Sequence, residues 1–585
     1  MSEVTDALQV LYRERARLII FALTGRTGSG CTTASKLLTK ELEGLALPIP
    51  QTHPSHPEER KYRILHKFIS ENWTPFTRVS MTVILLSFIL KRDEQEFSDF
   101  LKKSFEKKIQ SEDVAELQEV IKRAREGNLQ TLALLDNSPI SLSSEQVEQA
   151  KSLVTSSLEP ILDEIRRKLK SNYIPVFQAI GDNLRRSGSP YSELIGAQNI
   201  YSIARRADWA IQVITRFDEQ SNKPTRIVLD AMRNPFEALY FRDRYAAYYL
   251  LAINAEDEHR EARLSAHFSK TEIERFDEKE YPKKKRSKSS TYEAYISQDI
   301  QSCIEKADVH IHNPGLNKPS EDQDFSKLAT TLMRYVSLAI HPGLVNPTRS
   351  ERCMQIAYSA KLNSGCISRQ VGAVVTDVDG AVKSVGWNDV PFGQVPCLLR
   401  DVRDLLGNND KGAFSDFELA DRSIRDQLKK AFPLGASDGI GGRSCPFCFK
   451  DAFNEANKTQ DRSMTRSLHA EENAFLQISK SGGAGLKGGH LYTTASPCEL
   501  CSKKAYQLGI AEIWYVDPYP GVSRKQILGS GKFRPNMNLF SGAIGDAYHR
   551  LYDPLMASKD ETNAFVNEAA VPISLFPATG GKKKA

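Results

Sequence analysis

Two short motifs in the last quarter of the chain place metal-binding residue types at a spacing that suits a catalytic site. They are His469-Ala470-Glu471 and Pro497-Cys498-Glu499-Leu500-Cys501. A catalytic zinc ion takes three protein ligands and keeps a fourth position for water. Cysteines three positions apart at a helix start point their sulfurs the same way, and the helix N-terminus favours the thiolate. His469, Cys498 and Cys501 are therefore predicted to hold zinc, so any fold must bring the two motifs together.

Glu471 is predicted to be the catalytic residue rather than a fourth ligand. The two motifs together form H-x-E…P-C-x-x-C, the pattern of zinc deaminases, in which the glutamate moves protons from water to the ring nitrogen and the leaving ammonia. Zinc lowers the pKa of a bound water to about 7, which makes hydroxide available at neutral pH. A structural zinc site is the alternative, but it usually closes with four ligands and would leave Glu471 unexplained.

Four segments resemble deoxycytidylate deaminases, and they occur in the order of that family. They are Cys366–Ala373, the loop Gly386–Gly393, the helix His469–Phe475 and the turn Thr494–Cys501, which together cover most of residues 330–530. The resemblance implies that the substrate is a small-molecule deoxycytidine nucleotide.

The same resemblance implies roles for four further residues. Asn388 would hydrogen-bond the sugar, Arg369 or Ser368 would contact phosphate, and Tyr519 would close the pocket. Position 389 is Asp where the family often has Gly, which puts the shape of this loop in question. Read alone, Asn388 is equally typical of a turn.

A second zinc site is predicted at four other cysteines. Cys445-Pro446-Phe447-Cys448 is a C-x-x-C pair outside the catalytic motif, and such a pair forms half of a four-cysteine structural site. Cys366 and Cys397 would complete it, and some deoxycytidylate deaminases have structural-zinc cysteines at similar places. The alternatives are that Cys353 replaces one ligand, or that these are ordinary buried or reactive thiols.

Near the N-terminus, an apolar run at residues 18–23 leads into a glycine-rich turn and then a helical pattern from Thr32 to Leu45. Strand, glycine loop and helix form the setting of a phosphate-binding loop. Residues 25–32 fit G-x-x-x-x-G-K-[ST] except that Cys31 replaces the lysine, so nucleotide binding with little phosphoryl transfer is expected. Thr32, Thr33 and Asp230 are candidate Mg²⁺ contacts, and Arg26 could substitute for the lysine. The predicted nucleotide-binding residues are Gly25, Arg26, Gly28, Ser29, Gly30, Cys31, Thr32, Thr33 and Asp230. The alternative is a glycine turn used only for packing.

The predicted fold is α/β, with two domains and a tail. Residues 1–320 are predicted to form a doubly wound P-loop domain with a helical insertion, since buried strands alternate with helices and residues 60–175 have helical spacing. Segments 229–237 and 307–313 resemble nucleoside monophosphate kinases. Residues 325–560 are predicted to form an α/β/α cytidine deaminase-like domain, and 561–585 a C-terminal tail.

The chain has no run of about 20 apolar residues that would span a membrane, and its N-terminus lacks the basic-then-apolar order of a signal peptide. These features predict a cytoplasmic protein, whose nine cysteines stay reduced. A net charge of +6 over 585 residues gives little support to a nucleic-acid partner. A homo-oligomer is expected.

The combination of a degenerate P-loop domain and a deoxycytidylate-type deaminase resembles the bacterial anti-phage dCTP deaminases. That resemblance implies conversion of dCTP and dCMP to deoxyuridine nucleotides, depletion of dCTP in defence against phage, and repression by a small RNA. One alternative is a polynucleotide deaminase acting on RNA or single-stranded DNA, although the acidic stretch 401–426 lacks the basic, aromatic groove that such an enzyme needs. Another is a P-loop ATPase or nucleotide kinase whose deaminase half only binds ligand.

Overall fold

The computed structural model describes residues 3–106, 108–266, 268–280, 292–314, 325–432, 440–483, 485–517 and 523–566. The chain divides into two compact units. The first contains Met1–Asn346 together with Asp546–Ala585, and the second contains Pro347–Gly545. No helix in the described ranges has both the length and the apolar character needed to cross a bilayer.

The first unit is built on five parallel strands. They are β1 (Leu18–Thr24), β2 (Thr77–Ser80), β3 (Thr225–Asp230), β4 (Tyr248–Asn254) and β5 (Val309–His312). Their order across the sheet is β5-β4-β1-β3-β2. The three central strands are buried along almost their whole length, as expected for parallel strands covered on both faces. The glycine-rich segment lies at the carboxyl end of β1, the central strand.

Helices surround this sheet and form a large insertion between β2 and β3. The insertion begins at Met81, ends at Gln220 and shares one apolar core with strands β1, β3 and β4. The spacing predicted helices over residues 60–175, whereas the helices between β2 and β3 begin 21 residues later and continue to Gln220. The helices of the first unit are Glu3–Arg15, Cys31–Leu38, Pro57–Asn72, Met81–Leu90, Glu94–Phe105, Ser111–Gly127, Leu129–Ala133, Ser144–Ser152, Glu159–Leu169, Tyr173–Ser187, Ser202–Gln220, Pro235–Arg242, Asp257–Leu264, Lys270–Glu280, Glu293–Ile296, Ile300–Glu305, Ser326–Ile340, Asp546–Tyr552 and Ser558–Val566.

Three helices outside the predicted range 1–320 belong to this first unit. Ser326–Ile340 packs on Pro57–Asn72, and Ser558–Val566 packs on the N-terminal helix. After the second unit, the chain rejoins the first unit, and side-chain contacts hold it there. His341 stacks on Tyr12, and Glu561 forms a hydrogen bond of 2.7 Å with His341. The contacts therefore separate the two units between residues 346 and 347.

The second unit has a mixed five-stranded sheet. Its strands are β6 (Gly372–Thr376), β7 (Val382–Trp387), β8 (His490–Ala495), β9 (Glu512–Asp517) and β10 (Asn536–Leu539), in the order β10-β9-β8-β6-β7. Strand β6 runs antiparallel to β7 and β8, whereas β8, β9 and β10 are parallel to one another. The helices of this unit are Arg349–Lys361, Val402–Gly407, Asp416–Ala420, Arg422–Ala431, Phe449–Asn457, Ala470–Lys480 and Glu499–Gln507.

Alternating residues of β6 show that helices cover both faces of this sheet. Ala373 and Val375 pack with the helices that begin at Ala470 and Glu499. Val374 faces the other way, toward Cys353 and Ala357 of helix Arg349–Lys361. The α/β/α arrangement follows from this period-two alternation. The predicted insertion at 401–443 contains short helices with an apolar cluster of their own, and its residues 433–439 lie outside the described part.

Candidate active site

His469 and Glu471 lie at the start of a helix that packs closely on β7. His469 is the residue before helix Ala470–Lys480, and its carbonyl accepts the amide of Asn473 at 2.8 Å. The side chain of Asn473 donates to the carbonyl of Trp387 at 3.0 Å, which ties the helix to the end of β7. Gly386 permits this approach, because a Cβ there would lie 2.3 Å from the carbonyl oxygen of Ala470.

The two cysteines follow β8. Strand β8 ends at Ala495, and Cys498 immediately precedes helix Glu499–Gln507, with its carbonyl accepting the amide of Ser502 at 2.8 Å. His469 Nδ1 lies 3.3 Å from Cys498 Sγ and 3.5 Å from Cys501 Sγ. All three ligand atoms lie within 4.8 Å of one another.

This donor set fits a zinc ion. One imidazole nitrogen and two thiolates are ligands that Zn²⁺ prefers, and three of them leave a coordination position open. Hydrogen bonding by Cys501 and His469 lowers the pKa of the Cys498 thiol to about 4. Both cysteines also lie at a helix N-terminus, where the partial positive charge stabilises a thiolate. The chain therefore supplies a site in which the three ligand atoms are already close and the Cys498 thiol ionises readily. The hydrogen bond with Cys498 and burial raise the pKa of the Cys501 thiol.

Glu471 is buried beside these ligands but is not one of them. Its side chain is 4% exposed, and burial raises the pKa of its carboxyl. The hydroxyl of Thr493 lies 3.4 Å from Glu471 Oε1 and donates to the carbonyl of Ala495 at 2.8 Å. A carboxyl shielded from bulk water next to an open metal position is suited to moving a proton within the site.

Comparison with known proteins identifies this region. Residues 347–517 match the family model described as the cytidine and deoxycytidylate deaminase zinc-binding region. Residues 347–517 form a deaminase domain. The protein is a hydrolytic deaminase, and its zinc use is typical of this family.

Individual proteins and solved structures also match part of the chain. The deoxycytidylate deaminase of Enterobacteria phage T2 is 29% identical over 171 residues, which cover 29% of this chain and 81% of the phage protein. The probable deoxycytidylate deaminase of Drosophila melanogaster is 36% identical over 85 residues, covering 14% of this chain and 38% of the fly protein. The apo crystal structure of dCMP deaminase from cyanophage S-TIM5 aligns with 34% of this chain and 100% of its own, at 20% identity and a TM-score of 0.20.

Three of the four predicted substrate residues of the deaminase domain lie on the turn before β6 and the loop after β7. Asn388 is buried and holds these two segments together: its Oδ1 accepts the amide of Val371 at 2.7 Å, and its Nδ2 donates to the carbonyl of Arg369 at 2.8 Å. Arg369 forms an ion pair with buried Asp517 at the end of β9. Ser368 is exposed, and Tyr519 lies outside the described residues. The roles of these four residues toward substrate stay predictions.

The second group of cysteines does not form a comparable cluster. Of the residues that the structure describes, His469, Cys498 and Cys501 are the set whose ligand atoms converge, so no three of Cys366, Cys397, Cys445 and Cys448 lie within 4.8 Å of one another. Cys397 instead lies 3.8 Å from the guanidinium of Arg466, and the amide of Cys445 bonds Asp401. A second zinc ion at these cysteines stays a prediction.

In the first unit, the glycine-rich segment forms a loop between β1 and helix Cys31–Leu38. Gly30 precedes that helix with φ 109°, a left-handed conformation that glycine adopts without strain. The remaining loop residues Gly25, Arg26, Gly28 and Ser29 precede it, and Thr32 and Thr33 follow in the first helical turn. Arg26 is not directed to an open site, because it pairs with Asp257 at 2.6 Å and Asp277 at 3.0 Å.

Asp230 and Thr32 line one cavity of about 310 Å³ beside this loop. Asp230 Oδ2 accepts Arg78 Nη2 at 2.6 Å and Ser35 Oγ at 3.1 Å, whereas its Oδ1 is buried without a hydrogen-bond partner among the described residues. A buried carboxylate oxygen without a protein partner is a ligand type that a magnesium ion accepts. Burial raises the pKa of the nearby Cys31 thiol to about 12.

Sequence patterns missed several residues at these two sites. Thr493 lies in β8, shortly before the Pro497-Cys498 turn. A hydroxyl side chain at the end of the strand that leads into this turn is the sequence signal that could have indicated it. No local pattern indicates Asp517, Arg233 or Glu280, because each forms its hydrogen bond with a residue that is distant in the sequence. Asp517 bonds Arg369, and Arg233 bonds Glu280.

Proposed function

We propose that this protein deaminates free deoxycytidine nucleotides, dCMP or dCTP, to the corresponding deoxyuridine nucleotides. The observation that carries the proposal is the buried carboxyl of Glu471 beside the converging ligand atoms of His469, Cys498 and Cys501. The phage relatives are deoxycytidylate deaminases. Their substrate class comes to this chain as part of the proposal.

The reaction replaces the amino group on C4 of cytosine by oxygen. A zinc ion held by His469, Cys498 and Cys501 would activate water for attack on C4. Glu471 takes a proton from the attacking water and gives it to the ring nitrogen N3. It then moves the second proton to the departing amino group, so that the C4–N bond breaks and ammonia leaves. Burial of Glu471 keeps these protons from exchanging with bulk water.

Selection for a nucleotide is proposed to come from the turn and loop that Asn388 joins. Arg369 lies there with its guanidinium next to Asp517, and Ser368 exposes a hydroxyl on the same turn. A guanidinium and a hydroxyl are both phosphate-binding groups. Arg369→Lys should therefore raise KM for nucleotides more than KM for deoxycytidine, whereas equal effects on both would count against a phosphate contact.

A substrate panel tests this proposal directly. The purified full chain is incubated with cytidine, deoxycytidine, dCMP, dCTP, CMP, single-stranded DNA and single-stranded RNA, and uracil-containing products are quantified by chromatography. Conversion of dCMP or dCTP with no conversion of single-stranded DNA is the expected result. Preferential conversion of RNA or single-stranded DNA would replace the proposal by the polynucleotide alternative.

The proposed cellular role is depletion of dCTP during phage infection, as the resemblance to anti-phage dCTP deaminases implies. Cells that express the wild-type chain should lose dCTP and gain deoxyuridine nucleotides after infection, and cells that express Glu471→Gln should not. Unchanged nucleotide pools under infection would reject this role. Repression by a small RNA and assembly into a homo-oligomer stay predictions.

The glycine-rich loop is proposed to bind a nucleotide with Mg²⁺ in the first unit. Three features support this: the loop at the carboxyl end of the central strand, Gly30 before the following helix, and the buried, unpartnered Asp230 oxygen in a cavity that Thr32 also lines. Equilibrium dialysis with ATP and Mg²⁺ tests it, using Thr32→Ala as the variant with reduced affinity. Equal binding by Thr32→Ala and the wild type would contradict the assignment.

A further inference from the structure

The glycine-rich loop already holds an anion, and that anion belongs to this chain. Thr27 donates its amide to Glu280 Oε2 at 2.9 Å and its hydroxyl to Glu280 Oε1 at 2.5 Å. Arg233 Nη1 donates to the same Oε1 at 2.6 Å. The Glu280 side chain is 0% exposed, so both carboxylate oxygens are satisfied within the protein. These donors, an amide, a hydroxyl and a guanidinium, are the groups that bind a phosphate oxygen.

Glu280 is the last residue of helix Lys270–Glu280. Further contacts hold this helix and helix Asp257–Leu264 against the glycine-rich loop. Asp277, on the same helix, pairs with Arg260 at 2.6 Å. Arg260 in turn donates to the carbonyl of Thr27 at 3.0 Å. Arg263, also on helix Asp257–Leu264, donates to the carbonyl of Gly28 at 3.1 Å. Two helices that follow β4 are therefore fastened to the loop by charged groups.

We propose that Glu280 is an internal occupant of the phosphate loop, which the phosphate groups of a nucleotide must displace before they can bind. Displacement transfers the Thr27 donors and Arg233 from the carboxylate to phosphate and releases the end of helix Lys270–Glu280. The contact thus keeps the loop closed to weakly binding anions and couples ligand binding to the position of this helix. This inference rests on the proposed role of the loop as a nucleotide site.

The strength of the contact sets the size of the expected effect. When a binding-competent state is only a minor fraction, the apparent Kd rises by the inverse of that fraction. Hydrogen bonds to a charged group contribute more free energy than those to a neutral group. Loss of the carboxylate charge should therefore lower the ratio of molecules with Glu280 bound in the loop to those with Glu280 displaced by about tenfold or more. Glu280→Gln keeps the volume of the side chain while removing the charge that competes with phosphate.

Titration of the full-length protein with inorganic triphosphate and with ATP, each with Mg²⁺, tests the inference. Glu280→Gln should bind both about tenfold or more tightly than the wild type does. Glu278→Gln is the matched control, because Glu278 is exposed on the same helix, and it should bind as the wild type does. Hydrogen exchange of the wild type gives a second measurement that needs no variant: the amides of residues 270–280 should exchange faster when triphosphate is added.

The outcomes separate the two ideas. Equal or weaker binding by Glu280→Gln, alongside measurable binding by the wild type, would overturn the internal occupant and leave the nucleotide site intact. Slower exchange at residues 270–280 on adding triphosphate would overturn it as well, even if Glu280→Gln failed to fold. Absence of binding in both proteins would reject the nucleotide site itself.

Discussion

Replacement of Glu471 by glutamine is the sharpest test of the catalytic assignment. Glutamine has nearly the same volume, so the buried position beside Thr493 stays filled and no cavity forms. It cannot accept the proton of water or return it to the substrate. The ligand atoms of His469, Cys498 and Cys501 are unchanged, so Glu471→Gln should retain zinc while it loses turnover.

The structure sets the expected magnitude. Glu471 is 4% exposed, so neither solvent nor buffer can easily replace it as a proton carrier. A positioned general acid–base contributes 10²–10⁴-fold, and here one carboxyl serves both the ring nitrogen and the leaving amino group. We therefore expect kcat to fall by about 10⁴-fold, which corresponds to about 5.4 kcal/mol of barrier.

The assay follows release of ammonia or formation of deoxyuridine nucleotide with dCMP and dCTP, alongside zinc content measured by atomic spectroscopy. Glu472→Gln is the matched control, because Glu472 lies in the same helical turn but pairs with Lys504. It should keep turnover within a few-fold of the wild type. Turnover above about a tenth of the wild-type rate in zinc-loaded Glu471→Gln would refute the proton-transfer role. Loss of zinc in that variant would show that Glu471 supports the metal.

Three further predictions concern other parts of the chain. A hydrogen bond from Arg403 lowers the pKa of Asp401 to about 2. The stability that this pair contributes is therefore present above about pH 4 and is lost as the pH falls toward 2. Asp401→Asn should lower the free energy of unfolding in urea by about 1–2 kcal/mol at pH 7, and a difference from the wild type that persists at pH 2 would contradict this. Metal analysis should find about two zinc ions per chain and lose one in the Cys445→Ser/Cys448→Ser double variant if the second site exists; one ion in both proteins would reject it. Because Cys31 stands where phosphate loops have lysine, the wild type should bind ATP without phosphoryl transfer to nucleotides, and robust kinase turnover would show otherwise.

The sequence alone picked out the three side chains that converge as a possible metal site, because their spacing is encoded locally. The spacing within His469–Glu471 and within Cys498–Cys501 fixes which atoms face one way at two helix starts. An apolar run likewise predicted the central strand, since the run at 18–23 is β1 less its last residue. A buried strand needs only a short continuous apolar stretch, so composition suffices to find it.

Short edge strands and some helix ends could not be predicted in this way. Strand β2 is only Thr77–Ser80, with two polar side chains half-buried at the sheet edge, and it lies within residues 60–175, where the spacing predicted helices. The helix predicted from Thr32 to Leu45 ends at Leu38, and a separate turn of 3₁₀ helix forms at Leu42–Leu45. The apolar spacing continues across the break, because Leu37, Leu38 and Leu45 are all buried although the helix has ended.

Tertiary structure alone decided which distant charges meet. Glu280 bonds Thr27 across 253 positions of sequence, and Arg369 pairs with Asp517 across 148. Neither pairing leaves a periodic or local trace, since each residue in isolation is typical of a solvated surface. Their partners are set by how helices and strands pack, and burial then makes an unpaired charge costly. Local spacing thus determined the catalytic chemistry, whereas the packing of distant segments decided what occupies the glycine-rich loop.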